Sequence, residues 1–241
     1  MLDTAIVLAA GEGTRLRPLT DSVPKVMMPI AGEPLLFRTL AHLAAQGIRN
    51  VGINLHHLGD VIAEAVGDGS RFGVKVTYSH EESLLGSAGA LHGFGDLLAA
   101  RRFAILYGDM LTDADLGELD RFHHEHGAVL TMALMKSEDP TRCGVVGTNH
   151  DGRVTSFVEK PETAEPEADV NAGLYVCEAQ ILDAIPAGRS DFGSDVIPSL
   201  IASGQKVYGL RTRSHFQDIG TPELLRLAEA SIIEGEIACR S

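Results

Sequence analysis

Short apolar runs rich in β-branched residues, at 5–9, 51–55, 74–78, 103–107 and 129–135, alternate with segments whose apolar side chains fall at helical spacing, at 34–46, 58–66, 88–100 and 115–126. Strand-length runs alternating with amphipathic helices specify βα units, and the right-handed crossovers of such units lay their strands parallel. Residues 1–135 thus predict an α/β fold with a Rossmann-like, mostly parallel central sheet flanked by helices. After Lys136 the rhythm shortens. Residues 145–148 and 154–159 read as strands joined by Asn149-His150-Asp151-Gly152, whose Asp-Gly pair signals a hairpin. Further strands are expected at 169–176 and 206–210, with a helix at 195–203. A closing helix at 221–234 has Thr221 as N-cap, Pro222 at its first position and Glu223 in its first turn. This second half is mixed rather than parallel.

The acidic stretch 161–167 reads as an exposed loop, and neither a long linker nor a repeat of fixed period divides the chain. A single domain is therefore expected over 1–241, of a size that buries roughly 70 to 75% of its unfolded surface. Twenty basic against 33 acidic side chains leave a formal net charge of −13. That balance excludes a broad nucleic-acid surface, since phosphate backbones are held by basic patches. A nucleotide bound by so acidic a chain must be held locally, by backbone N–H groups, a few Lys or Arg and a divalent cation. Cys143, Cys177 and Cys239 are odd in number and far apart, the pattern of free thiols in a reducing compartment. A cytoplasmic location follows as an expectation. The apolar run at 5–10 stops at Gly11 and reads as a buried strand; no run approaches the ~18 residues of a membrane span.

Directly after the first strand comes Gly11-Glu12-Gly13-Thr14-Arg15-Leu16-Arg17-Pro18-Leu19-Thr20, then Pro24-Lys25. Closely spaced glycines let the backbone approach an oxyanion and turn N–H groups toward phosphate, with Arg15 and Lys25 supplying charge. A dinucleotide fingerprint needs a third glycine where Leu16 stands, and a P-loop needs a closing Gly-Lys-Ser/Thr; neither is present. Taken alone, the loop reads equally as a structural turn with surface arginines.

The longer string changes that balance. Leu8-Ala9-Ala10-Gly11-Glu12-Gly13-Thr14-Arg15-Leu16-Arg17-Pro18-Leu19-Thr20, followed by Pro24-Lys25-Val26-Met27-Met28-Pro29-Ile30-Ala31-Gly32-Glu33-Pro34-Leu35-Leu36, resembles the sugar-1-phosphate nucleotidylyltransferase family. The resemblance implies that Leu8, Ala10, Gly11, Gly13, Thr14, Arg15 and Lys25 hold the nucleotide, with Arg15 and Lys25 stabilising the phosphates and the departing pyrophosphate. Val26, where the family often carries a second proline, is a departure that bears on loop stiffness more than on charge.

Five further strings follow in the family's order. Leu85-Gly86-Ser87-Ala88-Gly89 offers small residues and backbone donors opening a helix; by chemistry alone it reads equally as helix–sheet packing, and by resemblance Gly86, Ser87 and Gly89 contact the base. Asp109, after the strand at 103–107, and Asp218, before the closing helix, are by themselves cap or turn residues. By resemblance they hold Mg²⁺ together, as hard oxygen ligands suit that ion. Glu159-Lys160-Pro161 reads as a solvated strand end, and by resemblance Glu159 binds sugar hydroxyls while Lys160 binds the sugar phosphate. Asn171-Ala172-Gly173 and Gly144 match further sugar contacts; Cys143, at a position often aromatic in the family, departs from the sugar-side packing. His123, His124 and His126, and His56-His57, read as core or surface residues rather than metal ligands, lacking an i, i+4 pair with a carboxylate partner.

The resemblance implies an Mg²⁺-dependent nucleotidyltransferase with a nucleotide-binding half at 1–135 and a sugar-binding half at 136–241. Its partners are a nucleoside triphosphate and a sugar 1-phosphate, with neither nucleic acid nor membrane, and with room for a homo-oligomer. Likeness to short guanylyltransferases favours GTP with mannose- or heptose-1-phosphate. Relatives using UTP or dTTP, among them the muramate-1-phosphate uridylyltransferases, share Gly67-Asp68-Gly69-Ser70-Arg71-Phe72-Gly73, which keeps uridylyl or thymidylyl transfer as the alternative. A non-catalytic nucleotide-sugar sensor is disfavoured by the retained Arg15, Lys25, Asp109, Lys160 and Asp218. No hexapeptide-repeat tail follows the closing helix, so acetyl transfer is not expected.

Overall fold

The computed structural model describes residues 2–99, 101–137, 139–235 and 237. Cys239 lies outside the described residues. The chain forms β1 (Thr4–Leu8), the short strands β2 (Pro29–Ile30) and β3 (Glu33–Pro34), α1 (Leu35–Ala45), β4 (Asn50–Leu55), α2 (Gly59–Val66) and β5 (Lys75–His80). Next come α3 (Gly86–Gly89), α4 (Gly95–Leu98), β6 (Phe103–Tyr107), β7 (Met110–Thr112), α5 (Leu116–His126), β8 (Leu130–Lys136), β9 (Gly144–Thr148) and β10 (Val154–Glu159). The chain ends through β11 (Asp169–Cys177), α6 (Ile197–Ala202), β12 (Val207–Arg211), β13 (Phe216–Asp218) and α7 (Pro222–Ile233). The fold is α/β, with mostly parallel pairing early and mixed pairing later, as the alternation of strand and helix patterns implies.

Two expected helices differ. The segment expected as one helix at 88–100 is broken into α3, a 3-10 turn at Ala90–Phe94 and α4, because Gly89, Gly93 and Gly95 each weaken a continuous helix by about 1 kcal/mol relative to alanine. The helix expected at 195–203 opens instead with a π-helical turn, Phe192–Val196, and becomes α-helical only at Ile197, with Pro198 in its first turn.

The described residues gather into two compact units, one drawn from 1–84, 106–115 and 214–241, the other from 85–105 and 116–213. In the first unit β4 lies parallel between β1 and β5, with Ala5 opposite Val51 and Val51 opposite Val76. Ala5, Ile6, Val7, Val51, Ile53 and Leu55 are fully buried, the continuous apolar pattern of strands covered on both faces. β7 pairs antiparallel with β13, setting Met110 opposite Asp218. Leu16, Met28, Ile30, Leu111, Ile219 and Ala228 form one apolar cluster that fastens the glycine-rich loop, this ribbon and α7 together.

In the second unit β8 is flanked by β11, antiparallel, and β12, parallel. β9 and β10 form the expected hairpin, Gly144 pairing with Glu159 and Thr148 with Val154. Its turn is held by Asn149, whose side-chain oxygen accepts the N–H groups of Asp151 and Arg153, while Gly152 takes φ +82°. Among the described residues no helix is long and apolar enough to cross a membrane.

Candidate active site

In the first unit β1 delivers the chain into the glycine-rich loop at the carboxyl end of the parallel strands, where open α/β sheets place their ligands. The loop is anchored from beneath. Ala9 N–H donates to Asn54 Oδ1 at 2.7 Å, and Asn54 Nδ2 donates to Glu81 Oε1 at 2.7 Å. Both side chains are buried. The far end is tied by Thr20, whose hydroxyl donates to the Gly13 carbonyl at 2.8 Å. Gly13 has φ +64°, and a Cβ there would come within 2.8 Å of Thr20 Cγ2. Gly11 shows no positive φ and has no neighbour within 4 Å of a would-be Cβ.

Four of the expected functional groups converge here. Lys25, buried to 8% exposure, lies in a 3-10 turn, Lys25–Met27, that follows Pro24. Its ammonium donates to Asp109 in a short contact and lies 3.4 Å from Asp218 Oδ1. The β7–β13 ribbon brings the two aspartates together, since Asp109 and Asp218 enter it from opposite strands and Ile219 N–H donates to the Asp109 carbonyl at 3.1 Å. Asp218 Oδ1 also accepts Gly220 N–H at 2.7 Å. Arg15 closes the group: a Cβ on Gly220 would meet its Nη2 at 2.6 Å and the Asp218 carboxylate at 2.9 Å. Gly108 serves the same end, its N–H donating to the Leu8 carbonyl at 2.9 Å where a side chain would strike that oxygen. Val26 is buried against this glycine and packs rather than faces solvent.

The second unit holds the other expected residues. Gly144 and Glu159 face each other across the hairpin, and a Cβ on Gly144 would meet Phe157 Cζ at 2.3 Å and Glu159 Oε2 at 2.9 Å. Lys160 adopts φ +44°, unusual for a lysine, with its N–H on the Cys143 carbonyl and its ammonium 3.3 Å from Glu159 Oε1. The Cys143 position therefore contributes a backbone acceptor, and the residue is half-buried. Asn171 sits at a register shift in β11. There its Oδ1 accepts Gly173 N–H at 3.1 Å, its Nδ2 donates to Tyr175 Oη at 2.6 Å, and Gly173 takes φ +74°.

The string Gly86-Ser87-Ala88-Gly89 is packed against the segment 188–191. Its helix-opening donors are not open to a base: Ser87 N–H goes to Asp191 Oδ1 at 2.8 Å, and the N–H groups of Ala88 and Gly89 go to the Ser190 carbonyl at 3.0 and 3.1 Å. Gly86 and Gly89 are required by the approach of that same segment, since a Cβ on either would come within 2.4 Å of the Ser190 or Gly188 carbonyl oxygen. The packing reading of these glycines is the one their contacts display. Asn54, Glu81 and Asp191 belong to no motif: single polar residues outside a glycine-rich or charged string give no local signal, and the fold alone sets the first two beneath the glycine-rich loop and the third against Ser87.

A glycine-rich loop thus stands beside a lysine, an arginine and two aspartates at the carboxyl end of parallel strands. The chain belongs to the Nucleotidyl transferase family, whose profile matches residues 4–235. It is 39% identical over 233 residues to the mannose-1-phosphate guanylyltransferase of Mycobacterium tuberculosis (strain ATCC 25618 / H37Rv), covering 96% of this chain and 65% of that one. It is 36% identical over 231 residues to the UTP--glucose-1-phosphate uridylyltransferase of Synechocystis sp., covering 90% of this chain and 60% of that one. The chain thus spans about two thirds or less of the length of these relatives. The crystal structure of HddC from Yersinia pseudotuberculosis complexed with GMP-PN superposes with a TM-score of 0.82 at 26% identity, over 96% of this chain and all of that one.

Proposed function

We propose that this protein condenses a sugar 1-phosphate with a nucleoside triphosphate to give a nucleotide-sugar and pyrophosphate, and that the preferred reaction is guanylyl transfer from GTP to mannose- or heptose-1-phosphate. The observation that carries this reading is the Lys25–Asp109–Asp218 group with Arg15 beside it at the mouth of the glycine-rich loop. A sugar-phosphate oxygen attacks the α-phosphorus in line, the new P–O bond forms as the bond to the β-phosphate bridging oxygen breaks, and pyrophosphate leaves with that electron pair. Catalysis of this kind needs positioning and charge stabilisation rather than a covalent enzyme intermediate. Lys25 and Arg15 counter the charge of the triphosphate and the leaving pyrophosphate, with loop N–H groups around Gly11 and Gly13 as further donors. Lys160 binds and orients the attacking phosphate. Glu159 accepts from sugar hydroxyls, while Asn171, Gly173 and Gly144 shape that side; Gly86, Ser87 and Gly89 contribute to the base side, Ser87 and Gly89 through atoms other than their N–H groups.

The donor set at Asp109 and Asp218 fits Mg²⁺: two hard carboxylates on one ammonium, a number that this ion completes with substrate phosphates and water. When bound there, Mg²⁺ neutralises charge on the reacting phosphates.

Preference for guanine draws on the guanylyltransferase relative. The 36% likeness to a uridylyltransferase supports uridylyl or thymidylyl transfer as the second reading. The decisive experiment crosses four nucleoside triphosphates with a set of sugar 1-phosphates and measures pyrophosphate release. GTP with mannose- or heptose-1-phosphate is expected to give the highest kcat/KM. A larger value with UTP or dTTP would transfer the assignment to the second reading, and ligand binding without release would identify a sensor.

A further inference from the structure

The turn at 190–193, absent from every motif recognised in the sequence, bonds directly to the Ser87 string, lies against Glu159 and reaches Asn171 through Tyr175. Asp191 Oδ1 accepts both the N–H of Ser87, at 2.8 Å, and its hydroxyl, at 3.1 Å, and Ser87 Oγ in turn accepts Phe192 N–H at 2.9 Å. The Ser190 carbonyl takes the next two N–H groups of the same string, and Ser190 N–H donates to the Leu85 carbonyl at 2.9 Å. The Phe192 ring stacks on Tyr175 at 5.2 Å between centroids, and Tyr175 Oη accepts from the Asn171 amide at 2.6 Å. Gly193 lies directly against Glu159: a Cβ there would come within 2.4 Å of Glu159 Oε2. Asp191 N–H is itself fixed, donating to Asp195 Oδ2 at 2.7 Å, and the turn runs into a π-helical segment, a distortion that recurs at functional sites.

We propose that Asp191 is a positioning residue for both substrates, because the turn it opens fixes the Ser87 string on one side and the Asn171 amide and Glu159 carboxylate on the other. This rests on the nucleotidyl-transfer reading and deepens it. Ligand groups must be held to within fractions of an ångström for in-line chemistry, and such precision comes from the packing behind them. Asp191 is suited to the task. Its carboxylate gathers two donors of one residue, whereas a water in its place would leave the Ser87 string free to shift against the turn.

Steady-state kinetics of Asp191→Ala, Asp191→Asn and Tyr175→Phe, each with GTP and mannose 1-phosphate varied in turn, test the proposal alongside thermal melts. Asp191→Ala is expected to raise both KM values at least fivefold while kcat moves less than threefold. Asp191→Asn, whose amide oxygen still accepts from Ser87, is expected to restore both KM values to within threefold of the parent. Tyr175→Phe keeps the stack on Phe192 and loses the Asn171 partner, so only the mannose 1-phosphate KM should rise. An Asp191→Ala protein that melts at a lower temperature with both KM values within twofold of the parent would reduce Asp191 to a structural cap and overturn the proposal; a rise in the GTP value alone would overturn its shared character. Failure of the underlying reading looks different, because then the parent protein itself releases no pyrophosphate with any donor and acceptor, and the proposal falls with it.

Discussion

Gly11 and Gly13 share one loop but answer to different constraints. Gly13 is demanded by the chain itself, through φ +64° and the crowding of Thr20 and Lys25. Alanine there is expected to cost about 1–2 kcal/mol of stability from the left-handed backbone alone, visible as a lower melting temperature. Gly11 has open space around it and no such torsion; within the protein, nothing asks for glycine. On the proposed function that space belongs to a phosphate, so Gly11→Ala should melt like the parent and raise the nucleotide KM at least tenfold. An equal loss of stability in both variants would dismiss this division. Asp109→Asn tests the charged group in the same way: shape is kept, Lys25 loses one of its two carboxylates, and turnover is expected to drop at least ~100-fold, several kcal/mol of charge stabilisation being at stake. Turnover at the parent level would refute the assigned role of Asp109.

Among the elements, α7 shows how far local chemistry can be read directly. Thr221 caps the helix as expected, its hydroxyl oxygen accepting Leu224 N–H at 3.2 Å, with Pro222 following. Because Thr221 sits next to the Gly220 turn that faces Arg15 and Asp218, the cap fixes the start of the helix and the carboxylate before it. Thr221→Ala is expected to cost about 1 kcal/mol, and the melting temperature by differential scanning calorimetry should fall by about 2–4 °C; an unchanged value would mean water replaces the hydroxyl. Strands β1, β4, β6, β8 and β11 and helices α1, α5 and α7 were legible because each is written in its own residues, as an apolar run, a 3.6 period or a cap. The glycine loop, Lys25 and both aspartates were legible as strings. The pairing of β7 with β13, which makes neighbours of Asp109 and Asp218, was not: strands of three residues so far apart in sequence carry no periodicity of their own. The 190–193 turn was hidden for a related reason, its significance lying in carbonyl and carboxylate contacts to Ser87 and Glu159 rather than in composition.

At the scale of the whole molecule, the response to acid runs through buried titrating groups, among them His123 in the second unit. It is fully buried, with Nδ1 2.9 Å from Thr131 Oγ1 and Nε2 3.5 Å from Glu178 Oε1. Burial first, and then the Arg102 guanidinium, push its imidazole down to about 4, against the opposing pull of Glu178 and Asp120. Arg102 itself is engaged by both carboxylates and approaches His124 Nδ1 at 3.5 Å, so the positive charge beside His123 is held in place. The folded state therefore binds its proton later than the unfolded chain does. The associated stability is complete above the unfolded value of 6.5, declines as pH falls from there toward 4, and is gone below it. Its size is at most about 3 kcal/mol. Asp169 adds a lower window: burial alone would raise its carboxyl, but Arg211 and Lys136 outweigh that and hold it below the usual carboxylate range, so its contribution is lost only at still lower pH. Urea melts at intervals between pH 7.5 and 4.5 should show a falling midpoint, and His123→Leu, which also leaves Thr131 without its ring partner, should be less stable at pH 7.5 yet nearly flat across the same range. Hydrogen exchange at pH 5 should show the amides of β8 and β11 losing protection before those of β1 and β4, since His123, Thr131 and Glu178 all belong to the second unit. A parent midpoint that does not move between pH 6.5 and 4.5 would mean that His123 charges as readily folded as unfolded, and the buried imidazole would then have no part in the acid response.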